Sequence, residues 1–449
     1  MRNREIRSGR RFTKQAASAT ILLMKPAADR EKIRSLDRPS LEVYQFERLN
    51  QLLRNVLPLN QFYAKKLSGL TVPIEQISDF TKIPFTTKEE LGGDDPHGWA
   101  VHRTFAPEKY TRFHQTSGTQ GQPLILLDTP EDWQWWTDAW QYVLDAAQIT
   151  SSDRCLLAFS FGPFIGFWSA FDALTDRGCL AIPGGGLSSL ARLERIATAA
   201  ATCLFCTPSY ALRLAEVAEE HGQDLRRSTV RTIVVAGEPG GSLASVRHQI
   251  ETRWDAQVLD HAGATEIGPW GFGKLSACGL YINEGEFIAE FIDPESTESV
   301  GEDQTAELVL TSLGRAGHPL LRYRTGDLVR YCKPQRQEGT QFIYLADGIL
   351  GRADQMLIVR GVNVLPSAVE QIIRDFPDVR EFRLTANRTG AMDELAVEIE
   401  ADANQAIQIG EQLQVKMGLR IDVKPVPEKT LPRFEGKAKR FVDLRPKEN

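Results

Sequence analysis

Between residues 41 and 68, Leu41, Tyr44, Phe46, Leu49, Leu52 and Leu53 recur at helical spacing among charged residues, and the pattern breaks near Pro58. Residues 78–91 predict a proline-containing extended segment and then a short helix with Thr86 or Thr87 as N-cap. The run holding Trp133, Trp135, Trp136 and Trp140 reads as core packing. A regular alternation follows. Apolar runs at Cys155–Phe161, Cys179–Pro183, Ala201–Cys206, Thr232–Gly237 and Gln257–Ala262 flank helical stretches at Leu187–Ala200, Tyr210–His221 and Ser242–Arg253. Strands alternating with helices predict a layered α/β domain with a largely parallel sheet, whose ligands sit on loops at the carboxyl ends of the strands. From Leu280 to about Arg330 shorter strands predict an antiparallel or barrel-like subdomain: Phe287–Ile292, Glu307–Thr311 and Leu320–Tyr323. Beyond a junction at 351–355 the order is strand Met356–Arg360, helix Ser367–Phe376, strands Val379–Asn387 and Glu394–Glu400, helix Ala406–Met417, and strand Ile421–Val426. That is a small α+β unit of ferredoxin-like type. The polar, basic tail Pro432–Arg440 adds nothing to such a core.

The chain of 449 residues is long enough for two or three domains. We divide it into a basic, flexible leader at 1–35, a large N-terminal domain at 36–350, a hinge at 351–355 and a small C-terminal lid at 356–449. A net charge of −6 excludes bulk electrostatic attraction to nucleic acid or acidic membranes. No apolar run spans a bilayer, and Ala19–Met24 is too short for a signal-peptide core. Four of the six cysteines, Cys155, Cys179, Cys203 and Cys206, lie at or in strand-like runs and read as buried reduced thiols, which fits the cytoplasm. No second pair or nearby histidine turns Cys203 and Cys206 into a zinc site.

Candidate chemistry enters at His114–Pro123, His-Gln-Thr-Ser-Gly-Thr-Gln-Gly-Gln-Pro. Small and hydroxyl residues there expose backbone N–H and O–H groups suited to polyphosphate oxygens. The loop lacks the Gly-Lys-Ser/Thr ending of a Walker A motif, and alone it reads as a solvated turn. Further on come Gly237–Gly241, Gly263–Glu266, the Arg-Tyr-Arg-Thr-Gly-Asp segment ending at Asp327, Gly351–Asp354 and Gly436-Lys437.

In that order these segments resemble the adenylate-forming superfamily of acyl-CoA synthetases. Ile83–Leu91, His114, Leu320–Asp327 and Met356–Asn363 are similar to its phenylacetate–CoA ligase branch. The resemblance covers roughly residues 41–445. It implies an adenylation domain with a mobile lid, and ATP, Mg²⁺ and coenzyme A as reactants. A carboxylate attacks the α-phosphate of ATP, giving an acyl-adenylate and releasing pyrophosphate, and the coenzyme A thiol then displaces AMP. The resemblance implies that Thr116, Ser117, Gly118, Thr119 and Gly121 hold the β- and γ-phosphates. Thr265 reaches the α-phosphate, and Glu266 holds Mg²⁺. Gly237, Glu238 and Pro239 line the adenine pocket, and Gly263 belongs to the same nucleotide-binding set. Asp327 binds the ribose hydroxyls with Arg352 assisting, Lys437 bridges carboxylate and phosphate oxygens, and Asp354 is the hinge. Arg360, Gly361 and Asn363 face the coenzyme A channel. Phe161, Gly162, Phe164 and Gly166 form the acyl pocket, whose aromatic content suits a phenylacetate-like aryl acid. The chain departs from the pattern at Gln120 and Gln122, which replace a hydroxyl and a positive charge, and at Ala262, which replaces an adenine-stacking aromatic. Only Cys278 and Cys332 stand where some relatives bind zinc, so no zinc is expected. A homodimer is compatible with the resemblance. Two alternatives share the motifs: an adenylating enzyme that passes its acyl group to an amine, hydroxyl or carrier protein, and a non-catalytic nucleotide-binding relative. Glu266, Asp327 and Lys437 argue against the second.

Overall fold

A computed structural model describes residues 26–445 apart from 94, 96, 117–122, 160–161, 334–338, 360–361, 390–391 and 435–437. Within the expected leader, α1 (Ala27–Arg34) is a helix. Buried Arg30 anchors it through Asp145, Nε to Oδ2 at 2.6 Å. The periodic segment forms α2 (Arg38–Val56) and α3 (Gln61–Lys66), capped by Asp37 and Asn60 side chains. The short α4 (Ile77–Phe80) and α5 (Lys88–Gly92) follow. Thr87 is the N-cap of α5, whereas buried Thr86 donates its hydroxyl to Leu321 O at 2.8 Å.

Strands β1 (Arg112–Gln115) and β2 (Ile125–Asp128) form an antiparallel hairpin. The Trp-rich run is α6 (Pro130–Ala146), closed at its start by a Thr129/Asp132 capping box, and its four tryptophans are buried as expected. Then come β3 (Arg154–Leu157), α7 (Ile165–Asp176), β4 (Leu180–Pro183), α8 (Ser189–Thr198), β5 (Cys203–Cys206), α9 (Pro208–Glu220), β6 (Thr232–Ala236), α10 (Ala244–Trp254) and β7 (Gln257–Ala264). Strands β4, β3, β5, β6 and β7 pair in parallel in that order. The sheet does not stop there. Strands β8 (Gly268–Lys274), β9 (Ala277–Ile282) and, after the next domain sheet has begun, β13 (Tyr344–Leu345) add antiparallel to β7, so the eight-stranded sheet is mixed. Cys203 and Cys206 lie on opposite faces of β5, packed into different cores, because side chains three apart on a strand point apart.

The second sheet is antiparallel, β10 (Phe287–Ile292), β11 (Thr305–Ser312), β12 (Tyr323–Arg330) and β14 (Ile349–Arg352). A core of Trp135, Trp136, Ile165, Ala262, Trp270 and Phe287 fills the space between it, α6 and the large sheet.

The C-terminal unit begins with a hairpin of β15 (Leu357–Val359) and β16 (Val362–Val364), which stays outside the main sheet. Helix α11 (Pro366–Arg374), β17 (Phe382–Thr389), β18 (Met392–Ile399), α12 (Ala403–Met417) and β19 (Asp422–Pro425) follow. The fourth strand of the sheet is β20 (Phe441–Asp443), parallel to β17. This strand lies just past the basic segment Pro432–Arg440, and its Phe441 packs against the core, a contribution absent from the sequence reading. Among the described residues no helix is long and apolar enough to cross a membrane.

Candidate active site

The expected phosphate loop is the tip of the β1–β2 hairpin. Thr116 closes it from below: its N–H donates to Leu124 O and its Oγ1 accepts from Leu124 N–H, each at 3.0 Å. Ser117, Gly118, Thr119 and Gly121 lie outside the described residues. At the base, His114 stacks on Trp133, with centroids 5.3 Å apart and planes 11° apart. The hairpin is stitched to the acyl-pocket segment by Gln115 N–H donating to Pro163 O at 2.9 Å.

In that segment Phe161 lies outside the described residues, and Gly162 O accepts from Trp168 Nε1 at 2.9 Å. Phe164 is 38 % exposed, whereas Ile165 is buried beside Ala262. Gly166 O accepts from the Ser169 hydroxyl, which accepts in turn from Trp140 Nε1. Trp140 packs on His261 with centroids 4.1 Å apart. Burial pushes the His261 pKa down to about 4, against the hydrogen bond to Gly271 O at 2.7 Å, so the ring is neutral with its proton on Nδ1.

Thr265 and Glu266 occupy the turn between β7 and β8. Glu266 is 7 % exposed, and its Oε1 meets Lys88 Nζ at 2.8 Å. Lys88 opens α5, and its segment is held in place by Thr86, which pairs with Arg322 O and Arg324 N–H beside β12. Under the turn lies Arg315, fully buried. Its Nε and Nη2 fork onto Asp128 at 2.6 and 2.9 Å, and its Nη1 donates to Thr265 O and Glu266 O at 2.9 and 2.8 Å. Burial opposes the Asp128 charge, but the Arg315 guanidinium more than offsets this and holds the carboxyl below its ordinary range.

Asp327 on β12 is the register partner of Arg352 on β14, and Arg352 Nη1 meets Asp327 Oδ1 at 3.2 Å. The approach depends on Gly326. Its φ is +74°, and a Cβ there would lie 2.7 Å from Arg352 Nη2. The other side of the same guanidinium holds Asp354, two hydrogen bonds at 3.1 Å. Arg352 thus joins the expected ribose ligand to the expected hinge.

Gly237, φ +91°, turns the chain at the end of β6. The Glu238 side chain, expected to line the adenine pocket, faces Ser209 and Ala438. It accepts from Ser209 N–H at 2.7 Å, from the Ser209 hydroxyl, and from Ala438 N–H at 2.8 Å. Arg440 adds a bond to Ser209 Oγ at 3.0 Å and forks onto Glu381. The tail is therefore docked on the β6 end with Ala438 beside it. Lys437 itself lies outside the described residues, as do Arg360 and Gly361. Asn363 is exposed on β16 and borders a groove lined by residues of the C-terminal unit such as Ile372 and Lys416. The structure does not bring it to the Glu266 turn.

Sequence reasoning missed Arg315, Asp128, Lys88, Ser209 and Arg440. Arg315 carried a signal: a lone charge between Gly314 and Gly317 within an otherwise apolar run. Lys88 and Arg440 lay in segments singled out above, Ile83–Leu91 and Pro432–Arg440, but their roles were not read, and Asp128 and Ser209 carried no signal, since each matters through a partner more than 25 residues away in sequence.

Comparison with known proteins bears on this site. A family model for the AMP-binding enzyme C-terminal domain matches residues 361–445. The phenylacetate-coenzyme A ligase of Escherichia coli (strain K12) is 31% identical over 428 residues, 90% of this chain and 95% of the relative. Among solved structures, 2-hydroxyisobutyryl-CoA ligase in the postadenylation state, with an acyl-adenylate bound, superposes with TM-score 0.82 at 25% identity, covering 94% of this chain and 91% of the other. The same ligase in its thioesterification state gives 0.70 at 25% identity, covering 94% of both chains. The arrangement of the two units here is therefore nearer the first state. Neither acyl transfer to an amine or carrier protein nor a non-catalytic role is favoured by these likenesses. The chain belongs to the phenylacetate–coenzyme A ligase family, the AMP-forming acid–CoA ligases of the adenylate-forming superfamily.

Proposed function

We propose that the chain activates a phenylacetate-like aryl acid as its acyl-adenylate and transfers the acyl group to coenzyme A. The observation that supports this reading is the buried Arg315, which links Asp128 at the foot of the Thr116 hairpin to the Thr265–Glu266 turn, beside the Asp327–Arg352 pair of the second sheet. In the first half-reaction the hairpin loop with Thr116, Ser117, Gly118, Thr119 and Gly121 cradles the β- and γ-phosphates. Thr265 contacts the α-phosphate, Asp327 accepts from the ribose hydroxyls, and Gly237 to Pro239 border adenine. Lys437, carried next to the docked Ala438, steadies the charge that gathers as the carboxylate attacks.

Magnesium fits this donor set. Glu266 offers a buried oxygen anion already paired with a cation, and Mg²⁺ commonly takes one or two carboxylates plus substrate phosphates. Among the described residues no three His, Cys, Asp or Glu gather elsewhere to compete for it. Glu266 would hold the ion, which would supply charge neutralisation on the phosphates; Lys88 is the cation that pairs with this carboxylate in the structure. In the second half-reaction the lid turns about Asp354 and presents Arg360, Gly361 and Asn363 to coenzyme A.

The aryl preference is supported by Phe164, Trp168 and Trp140 around the Gly162–Gly166 segment. The test is pyrophosphate exchange over a panel of aryl and alkyl acids, with AMP release measured with and without coenzyme A. Exchange that favours arylacetates, with AMP release dependent on coenzyme A, is expected. Exchange confined to short alkyl acids removes the aryl assignment.

A further inference from the structure

The Arg315–Asp128 pair lies outside every motif used above, yet it reaches the centre of the site. Both side chains are 0 % exposed, and four N–H bonds of one guanidinium are aimed at two targets: the Asp128 carboxylate, and the carbonyls of Thr265 and Glu266. Trp136 covers the guanidinium face, centroid 5.2 Å away. Asp128 is the last residue of β2, the strand that leaves the phosphate loop, and its Oδ2, which accepts from Arg315 Nη2, also lies 3.6 Å from His114 Nδ1 on β1. One buried ion pair thus ties the base of the phosphate hairpin to the Thr265–Glu266 turn.

A trans peptide points its C=O and the next N–H in opposite directions. With the carbonyls of Thr265 and Glu266 drawn down onto Arg315, the N–H groups of Glu266 and Ile267 must point away from it. Gly263 is exposed and Thr265 half-buried in this turn, whereas Glu266 is 7 % exposed and Ile267 is fully buried. Holding both carbonyls fixes the two peptides, and with them the directions of the Thr265 and Glu266 side chains.

We propose that Arg315, fixed by Asp128, is a positioning residue for adenylation. It fixes the Thr265–Glu266 peptides so that the Thr265 side chain is held toward the α-phosphate and Glu266 is held where it would bind the metal. The proposal rests on the reading of this turn as the α-phosphate and metal site. Arg315 touches neither substrate nor metal. Its contribution appears where negative charge grows in the transition state, and so in kcat more than in KM for the acid.

The test compares R315M/D128N, R315K and E266Q by thermal melt, pyrophosphate exchange and Mg²⁺ titration. Removing both charges together leaves no unpaired buried ion, so the double variant is expected to fold. It should lose on the order of 100-fold in kcat, with a raised Mg²⁺ midpoint and little change in KM for the acid. R315K keeps a charge for Asp128 but cannot fork onto two targets, and about 10-fold in kcat should go with it. If the double variant keeps parental kcat and Mg²⁺ midpoint while E266Q is impaired, the positioning role is wrong and the reading of the turn stands. Should E266Q be parental as well, the reading fails and takes the proposal with it. A kcat loss with an unmoved Mg²⁺ midpoint and a proportionate rise in KM for the acid marks general damage and also overturns it. If the double variant does not fold, R315K decides by the same two readouts, and parental values overturn the proposal.

Discussion

His102 and His318 set the acid side of this protein's stability. Both rings are fully buried, 4.7 Å apart at 90°, and their four nitrogens have no hydrogen-bond partner among the described residues. Tyr110 packs on His318 and Phe62 on His102, and Arg315 and Arg103 add positive potential. Burial first, then Arg315, pushes His102 down to about 3, and burial, then His102 and Arg315, push His318 down as well. The sign follows from linkage. The folded rings stay neutral while the unfolded ones take protons below their ordinary pKa, so stability is lost as pH falls through that range. With an unfolded pKa of about 6.5, each ring costs about 2 kcal/mol at pH 5 and almost nothing at pH 7.5. Two rings cost about 4 kcal/mol, a large share of a typical domain's stability. Asp132 and Asp260 work against this slope, because burial raises both to about 6 and the folded state then gains protons that the unfolded state lacks. Each returns roughly 1 kcal/mol over the same interval. The parent's own profile is therefore a difference of opposing terms, and the informative quantity is its difference from H102L/H318L. Leucine matches the apolar surroundings and removes four unpartnered nitrogens, so the variant folds at pH 7.5. Urea melts by tryptophan fluorescence at both pH values should show the variant gaining about 4 kcal/mol on the parent between pH 7.5 and pH 5. A gain under about 1 kcal/mol would refute the argument that these rings are neutral when folded.

Replacing Glu266 with Gln should slow pyrophosphate exchange and raise the Mg²⁺ midpoint, since a neutral amide is a poor ligand for a hard cation; an unchanged titration removes Glu266 from the site. K437A should abolish adenylation yet spare thioester formation from supplied acyl-adenylate, and parental exchange would make Lys437 an ordinary surface lysine. D354P removes both Arg352 hydrogen bonds and locks φ, so one half-reaction should survive and the other collapse; parental rates in both would discard the hinge. Replacing Glu238 with Ala strips acceptors from Ser209 and Ala438, and kcat/KM for adenylation should fall about 10-fold with the melting temperature nearly unchanged. Unaltered kcat/KM would show that tail docking through Glu238 is dispensable.

What was legible in the sequence was periodic or local. Short apolar runs and helical patterns exposed β3 to β7 and the helices α8, α9 and α10 to within a few residues, while α7, between β3 and β4, went unread. Proline and hydroxyl caps marked where α2 breaks and α5 begins. The antiparallel extension β8–β9 was not read as part of the large sheet, because short strands look alike whichever sheet they join. The tail strand β20 escaped for the opposite reason. Its three residues are too short to show a pattern, and pairing with β17 alone makes them a strand. In the candidate site, motif order singled out Thr116, Glu266, Asp327 and Arg352, but not the residues that contact and orient them. Arg315 and Lys88 act across 49 and 178 residues of chain, and no local pattern encodes such distances.

The position of β20 has a consequence for how Lys437 is delivered. On one side of it Arg433 forks onto Glu400, and on the other Arg440 forks onto Glu381 and Phe441 enters the sheet beside Leu384. The lysine is therefore not on a free tail. It belongs to a segment anchored on both sides to the C-terminal unit, so the entropy of closing that segment is settled when the unit folds. If Lys437 serves the α-phosphate as proposed, its local concentration there would follow the orientation of that unit. A peptide spanning the tail, added to a chain truncated before Arg433, lacks this tethering. It would need millimolar concentration to match what the closed loop supplies within one molecule.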